Sequence, residues 1–334
     1  MPWKRLTSIG RKPIALLVLA ALLAALLLRP WQPEEQPFVT EQVTFGTNVV
    51  AGTTNDQPVT VPATLYTPRD TSGLLAAVVI VPSSSGVQEE REIHYAKALV
   101  AAGIAALVVD SYGARGIENS LYDQSLLDQW EIENDAIAAL GLLSKDARID
   151  PRRIAIMGVS KGGTAAMDSA LTIRRKWMGV TSLRFAAHVA ITPDCTWMTR
   201  QAETTGAPML FLLAGLDDQT PAQACLDQAK RMTEAGNTGI ETEVYDNAHH
   251  AWEELGRKPV YDPEVENYAQ CRVWILNDGS MMAADTGEPL PEDDWWTWAE
   301  QNCMTLGATC CGGTQEQKAA ATERIITFLR AHGF

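Results

Sequence analysis

Gly158-Val159-Ser160-Lys161-Gly162 sets a hydroxyl between two glycines, directly after the apolar run Arg153 to Met157 and directly before a helical stretch. A serine in that context sits on a strained strand-to-helix turn, where residues two positions away must lack bulk. The turn puts the hydroxyl at the N-terminus of a helix, whose dipole favours developing negative charge. The chemistry this permits is nucleophilic attack on an acyl carbon. A tight turn could use the same glycines, but the preceding strand, the following helix and Gly163 favour a nucleophile. Serine is a weak nucleophile alone, so a base is required, with a carboxylate to orient it.

Downstream, the apolar strand Leu210 to Ala214 ends in Gly215-Leu216-Asp217-Asp218-Gln219-Thr220-Pro221. Asp217, four residues before the helix-starting proline, is the expected acid; Asp218 is the alternative, otherwise an exposed loop acid or a helix N-cap. The base comes from a short list, because the chain has five histidines. His94 lies on an early helix, His188 inside a strand and His332 at the C-terminus. Asp246-Asn247-Ala248-His249-His250-Ala251-Trp252 follows the last strand. His250 is the expected base, with His249 a neighbour of the site.

These residues need a frame that brings loop ends together, and the hydropathy pattern supplies one. Strands are expected at Val59–Tyr66, Leu75–Val81, Ile104–Val109, Arg153–Gly158, Phe185–Ile191, Pro208–Ala214 and Glu241–Tyr245. Leu75–Val81 is continuously apolar, as for a strand buried on both faces. Helices are expected after Tyr95, over about 121–144, from Lys161, over about 221–235 and over about 315–330. Alternation of this kind means an α/β architecture: a mostly parallel central sheet with helices on both faces. Residues 253–313, rich in Trp, Cys and acidic residues, read as an insertion before the last helix. Its Trp295, Trp296 and Trp298 either form a small core of their own or roof the pocket, and Asn277-Asp278-Gly279 reads as a hairpin turn.

Taken together, Asp110-Ser111-Tyr112-Gly113-Ala114-Arg115-Gly116, Ile149 to Ile154, the serine turn, Gly215-Leu216-Asp217 with Thr220-Pro221, and Tyr245 to Trp252 resemble the dienelactone hydrolase family of α/β-hydrolases. More narrowly, the chain resembles that family's exported, cysteine-containing bacterial members. The resemblance implies an α/β-hydrolase fold and a Ser160–His250–Asp217 triad that cleaves an ester or related acyl bond without metal or cofactor. It also implies an oxyanion hole from the backbone N–H groups of Ser84 and Lys161. Arg115 is expected to meet a substrate carboxylate or to cap its own loop, and Trp252 to contact substrate. The Lys161 side chain is expected in solvent. The chain departs from the dienelactone-cleaving enzymes, which resemble one another in a cysteine nucleophile and a glutamate in the first oxyanion loop. Here Ser160 stands at the nucleophile position and Ser83–Ser85 carry no carboxylate, so dienelactone is not the expected substrate. The same triad would serve acyl transfer or amide cleavage, and the fold alone would serve a non-catalytic envelope binding protein.

Composition sets the boundaries. The 334 residues carry a formal charge of −14, and the five basic residues before Trp31 stand in a stretch without an acid, leaving 22 Lys and Arg against 41 Asp and Glu. So acidic a surface repels phosphate backbones and excludes nucleic-acid binding. Lys4, Arg5, Arg11 and Lys12 before the apolar run Pro13–Leu28 mark residues 1–29 as a signal anchor or a cleaved signal peptide. The remainder is then expected in the periplasm, tied to the inner membrane or released. Residues 30–40 read as a proline-rich linker and 41–334 as the hydrolase domain. Six cysteines without a CxxC pair fit disulfides rather than a metal site. Cys195 and Cys225 are expected to pair across neighbouring elements. Cys271 and Cys303 are each expected to pair with one of Cys310 and Cys311, since a bond between adjacent cysteines closes a small strained ring.

Overall fold

The computed structural model describes residues 37–47, 58–180, 182–255, 258–291 and 295–334. The expected signal segment and residues 30–36 of the expected linker lie outside the described residues. Among the described residues no helix is long and apolar enough to cross a membrane.

Strands β1 (Phe38–Gly46), β2 (Thr60–Pro68), β3 (Leu75–Val81), β4 (Ala105–Val109), β5 (Ile149–Val159), β6 (His188–Ile191), β8 (Met209–Ala214) and β9 (Ile240–Tyr245) build one sheet, with β7 (Trp197–Thr199) outside it. The strand order is β1-β2-β4-β3-β5-β6-β8-β9. β1 and β2 run antiparallel to their neighbours, and every pairing from β4 to β9 is parallel. β1 begins inside the stretch read as linker. Its register against β2, Phe38 opposite Pro68, gives it structure that proline content hid.

Helices cover both faces, which is why β3 and β4 are buried at every position. One face packs α1 (His94–Ala101) and the C-terminal helix (Gln315–Ala331) on Val78, Ile80 and Val108. The other packs α2 (Gln129–Leu143) and α3 (Lys161–Asp168) on Val79, Val81 and Leu107. Each such side chain, removed from water, contributes about 1.5–3 kcal/mol. The helix expected over 121–144 begins only at Gln129. Asp128 caps it in a capping box with Glu131, and the preceding carbonyls of Gln124 and Leu127 are taken by Lys161 Nζ. After α4 (Thr172–Trp177) and α5 (Ala222–Glu234), the insertion contributes β10 (Val260–Asn267), β11 (Val273–Ile275), β12 (Met281–Ala283), α6 (Trp295–Asn302) and β13 (Thr305–Cys310); the C-terminal helix is α7. β11 and β12 form the expected hairpin, and β11 also pairs in parallel with β7. β10 pairs with β13, and the end of β13 bridges to the His250 loop.

Cys195–Cys225 is paired as expected. The other four are not. Cys271 joins Cys303, and Cys310 joins Cys311. The reason is topological: Cys271 and Cys303 share the insertion's core with Trp295 and Val273, whereas β13 carries Cys310 and Cys311 away to the His250 loop.

Candidate active site

Ser160 follows β5 with φ 56° and ψ −122°, a backbone conformation that only surrounding constraint holds in a residue with a side chain. A Cβ on Gly158 would lie 2.4 Å from the Gly162 carbonyl, and one on Gly162 2.6 Å from the Pro82 oxygen. Both glycines are therefore demanded by close backbone approach. The Ser160 N–H donates to the Ile191 carbonyl at 2.8 Å, fastening the turn to β6.

The loops after β5, β8 and β9 meet at the carboxyl edge of the sheet, where open α/β sheets bind ligands. His250 Nε2 stands 2.9 Å from Ser160 Oγ, and its Nδ1 2.8 Å from Asp217 Oδ2. Asp217 Oδ1 accepts from the N–H groups of Gln219 (2.9 Å) and Thr220 (2.8 Å), and Oδ2 from the Thr220 hydroxyl (2.9 Å). Because an ionised carboxylate only accepts, Nδ1 carries the imidazole proton and Nε2 is left to accept from the serine. Burial disfavours the Asp217 carboxylate, but the charge and hydrogen bonds of His250 and Thr220 outweigh it and hold its pKa below the usual carboxylate value. Burial likewise opposes protonation of His250, yet Asp217, with help from Glu253, raises its pKa above the ordinary imidazole value.

Structure thus brings Ser160, His250 and Asp217 together. His249 takes no part in that chain of hydrogen bonds. Asp218 is exposed; its carboxylate accepts from the Thr309 N–H at 2.8 Å and its carbonyl from Asn267 Nδ2 at 3.0 Å, so it ties the acid loop to β10 and β13. Ser84 and Lys161 line one cavity with Ser160. Gly86 N–H donates to the Ser83 carbonyl at 3.0 Å, which turns the Ser84 N–H, on the opposite side of the same trans peptide, out of the loop.

Three expectations are corrected. The Lys161 side chain is buried, not solvated: Nζ donates to Leu127 O (2.6 Å), Gln124 O (2.9 Å) and Ser120 Oγ (3.1 Å). Burial pushes its pKa down to about 8. Arg115 makes no substrate contact but does cap its own loop: it does not line the cavity, its Nη1 donates to the Ser111 carbonyl (2.8 Å), and Asp135 (2.8 and 3.1 Å) and Glu131 (3.4 Å) hold the guanidinium against α2. Trp252 is fully buried, packed on Tyr245 within the core that holds Tyr95 and Phe328, since the positive φ of Ala251 (53°) turns the chain inward there.

Sequence reasoning missed several residues. Thr220 bridges acid and base, its hydroxyl 3.1 Å from His250 Nδ1; its place beside Pro221 was the available signal. Glu92, outside the serine loop, reaches back to it: its carboxylate accepts from Gln88 N–H (2.8 Å) and Ser83 N–H (3.4 Å), and it pairs with buried Arg91 at 2.9 Å. Nothing in local spacing marked that contact. The cavity is also walled by Asp194, Trp197, Glu266, Tyr268, Trp295 and Trp296. All three of Trp295, Trp296 and Trp298 belong to or pack on the insertion's core, and two of them also reach the cavity. Trp295 and Trp296 line the cavity as well, and Trp298 does not.

A mostly parallel sheet with serine, acid and histidine on loops at its carboxyl edge defines an α/β-hydrolase. The chain belongs to the dienelactone hydrolase family, whose model matches residues 61–277. It is by that membership a hydrolase acting on ester bonds. It is similar in fold to a proposed dienelactone hydrolase from Klebsiella pneumoniae, at 18% identity and TM-score 0.47, over 64% of this chain and 88% of that one. An α/β-hydrolase enzyme from a Medee basin deep-sea metagenome library matches at 18% identity and TM-score 0.48, over 66% and 87%. A thermostable esterase from Pseudomonas putida matches at 15% identity and TM-score 0.48, over 73% and 85%. Among curated proteins none matches this chain.

Proposed function

We propose that this hydrolase is a serine esterase that works through an acyl-enzyme. The observation that carries the reading is the unbroken hydrogen-bond chain from Ser160 Oγ through His250 to Asp217. Ser160 Oγ attacks the acyl carbon as its proton passes to His250 Nε2. The tetrahedral oxyanion is met by the N–H groups of Lys161, at the start of α3, and Ser84. The imidazolium, held by Asp217, then returns the proton to the leaving alkoxide. Water repeats the sequence on the acyl-enzyme, with His250 as base, and frees the acid.

We also propose that the domain works outside the cytoplasm, as an anchored or released periplasmic protein. The basic-then-apolar N-terminus and the pairing of every cysteine among the described residues support that reading. Stopped-flow hydrolysis of p-nitrophenyl acetate tests the chemistry. A burst of one nitrophenolate per chain, lost in Ser160→Ala, is expected. Equal turnover by Ser160→Ala would remove the serine from the mechanism.

A further inference from the structure

The cavity beside Ser160 has an unusual wall: among the described residues no aliphatic side chain lines it. Ligand pockets are ordinarily lined largely by apolar side chains. A long acyl chain gains about 0.8 kcal/mol per buried CH₂ only where apolar atoms replace its water, and this wall offers little beyond four rings. Those rings are Trp197, Tyr268, Trp295 and Trp296. Tyr268 and Trp296 stand nearly edge to face at 5.4 Å, with Trp295 stacked obliquely on Trp296 at 4.1 Å. Together the four rings supply the aromatic part of a wall that is otherwise polar, and an aromatic ring can accept polarised C–H groups.

The polar part of the wall pairs donors with acceptors. Gln124 spends its carbonyl oxygen on Ser84 Oγ (3.0 Å), which leaves its NH₂. Gln219 spends its NH₂ on the Glu266 carbonyl (3.3 Å), which leaves its oxygen. Gln129 adds a third amide. Asp194 and Glu266 add carboxylates, each held by one oxygen: Asp194 Oδ1 on Thr196, Glu266 Oε2 on the Gln124 N–H (2.7 Å) and the Tyr268 hydroxyl (3.1 Å). Among the described residues lining the cavity no cation is free for an anionic substrate, because Lys161 has all three N–H bonds committed and Arg115 is held by Asp135. An ammonium ligand would suit the carboxylates and rings, but it has no acceptor for the amide donors.

We propose that the ester taken here is a short acyl group carried on a sugar or similar polyol. Such a ring has C–H faces for the indoles and hydroxyls that both donate and accept at its rim. The proposal rests on the serine esterase reading and adds the identity of the alcohol to it.

The test compares kcat/KM for a monoacetylated methyl glycoside with that for cyclohexyl acetate, the same ring without hydroxyls. p-Nitrophenyl acetate, p-nitrophenyl octanoate and acetylcholine complete the set. A site built for hydroxyls rejects the analogue lacking them, so the glycoside is expected to lead cyclohexyl acetate by about 100-fold or more. Trp296→Ala and Gln129→Ala should each lower the ratio of glycoside to p-nitrophenyl acetate about tenfold, through KM. Independently of turnover, the unacylated methyl glycoside should quench tryptophan fluorescence saturably in Ser160→Ala. Equal rates for the two rings, preference for the octanoate or for acetylcholine, or no saturable quenching would each overturn the proposal. Failure of the esterase reading looks different: Ser160→Ala would then hydrolyse p-nitrophenyl acetate as the wild type does.

Discussion

Asp217→Asn changes one atom and should disable the base. Oδ1 accepts from two backbone N–H groups, at 2.9 and 2.8 Å, and only an oxygen can serve there. The new NH₂ must therefore take the other position, facing His250 Nδ1, now 2.8 Å from Oδ2. Nδ1 is then forced to accept, the ring proton moves to Nε2, and Nε2 no longer receives the serine proton. The wrong tautomer and the loss of the carboxylate opposite the imidazolium together lower kcat by about 10³ to 10⁴-fold, or about 4–5.5 kcal/mol. A second signature accompanies the first. In the wild type Asp217 overcomes burial and raises the His250 pKa, so kcat/KM should rise with pH through a limb above the ordinary imidazole value of about 6.5. Without the carboxylate, burial is opposed only by the smaller effect of Glu253, and the limb moves to lower pH. The assay is p-nitrophenyl acetate hydrolysis from about pH 5 to pH 10. A variant within tenfold of wild type, with its limb unmoved, would refute the assignment of Asp217.

Arg115→Ala leaves the buried carboxylates of Asp135 and Glu131 without their cation and should cost about 3–5 kcal/mol in urea unfolding, with KM for p-nitrophenyl acetate unchanged. A KM shift without a stability loss would return Arg115 to the substrate. Lys161→Met strips the ammonium from the Gln124 and Leu127 carbonyls and should cost about 2–4 kcal/mol. Burial lowers the Lys161 pKa to about 8, so its charged form burdens the fold; relative to Lys161→Met, wild-type stability should rise as pH climbs from 8 towards the unfolded value of 10.5. Non-reducing peptide mapping should recover Cys271 linked to Cys303, and a peptide joining either to Cys310 or Cys311 would contradict the β10–β13 pairing that separates them.

What could be read from sequence was whatever a local rule dictates. Gly158 and Gly162 announce a turn that no side chain would tolerate, and Leu75–Val81 announces a strand covered on both faces. The acid and base followed because each sits on the loop after a strand, Asp217 after the apolar β8 and His250 after the alternating β9. Long-range pairings carried no such mark. Lys161 is placed by carbonyls about 35 residues before it, at Gln124 and Leu127, and nothing at Lys161 itself signals burial. Arg115 answers to Asp135 across a loop and a helix, so its motif position suggested substrate while its partner decided otherwise. The cysteine pairing failed for the same reason, since β10 and β13 had not been recognised as partners that carry Cys310 away from Cys271. Glu92 reached the serine loop through tertiary folding alone.

Ester cleavage by this chain stands on Ser160 as the nucleophile and on His250 as the base that activates it. A fluorophosphonate probe followed by peptide mass spectrometry tests this most directly, because phosphonylation requires an activated serine and is independent of which ester the enzyme prefers. One adduct per chain on the peptide containing Ser160 is expected, absent in Ser160→Ala and slowed about 10³-fold in His250→Ala. No adduct, or an adduct on another residue that survives in Ser160→Ala, would contradict the account.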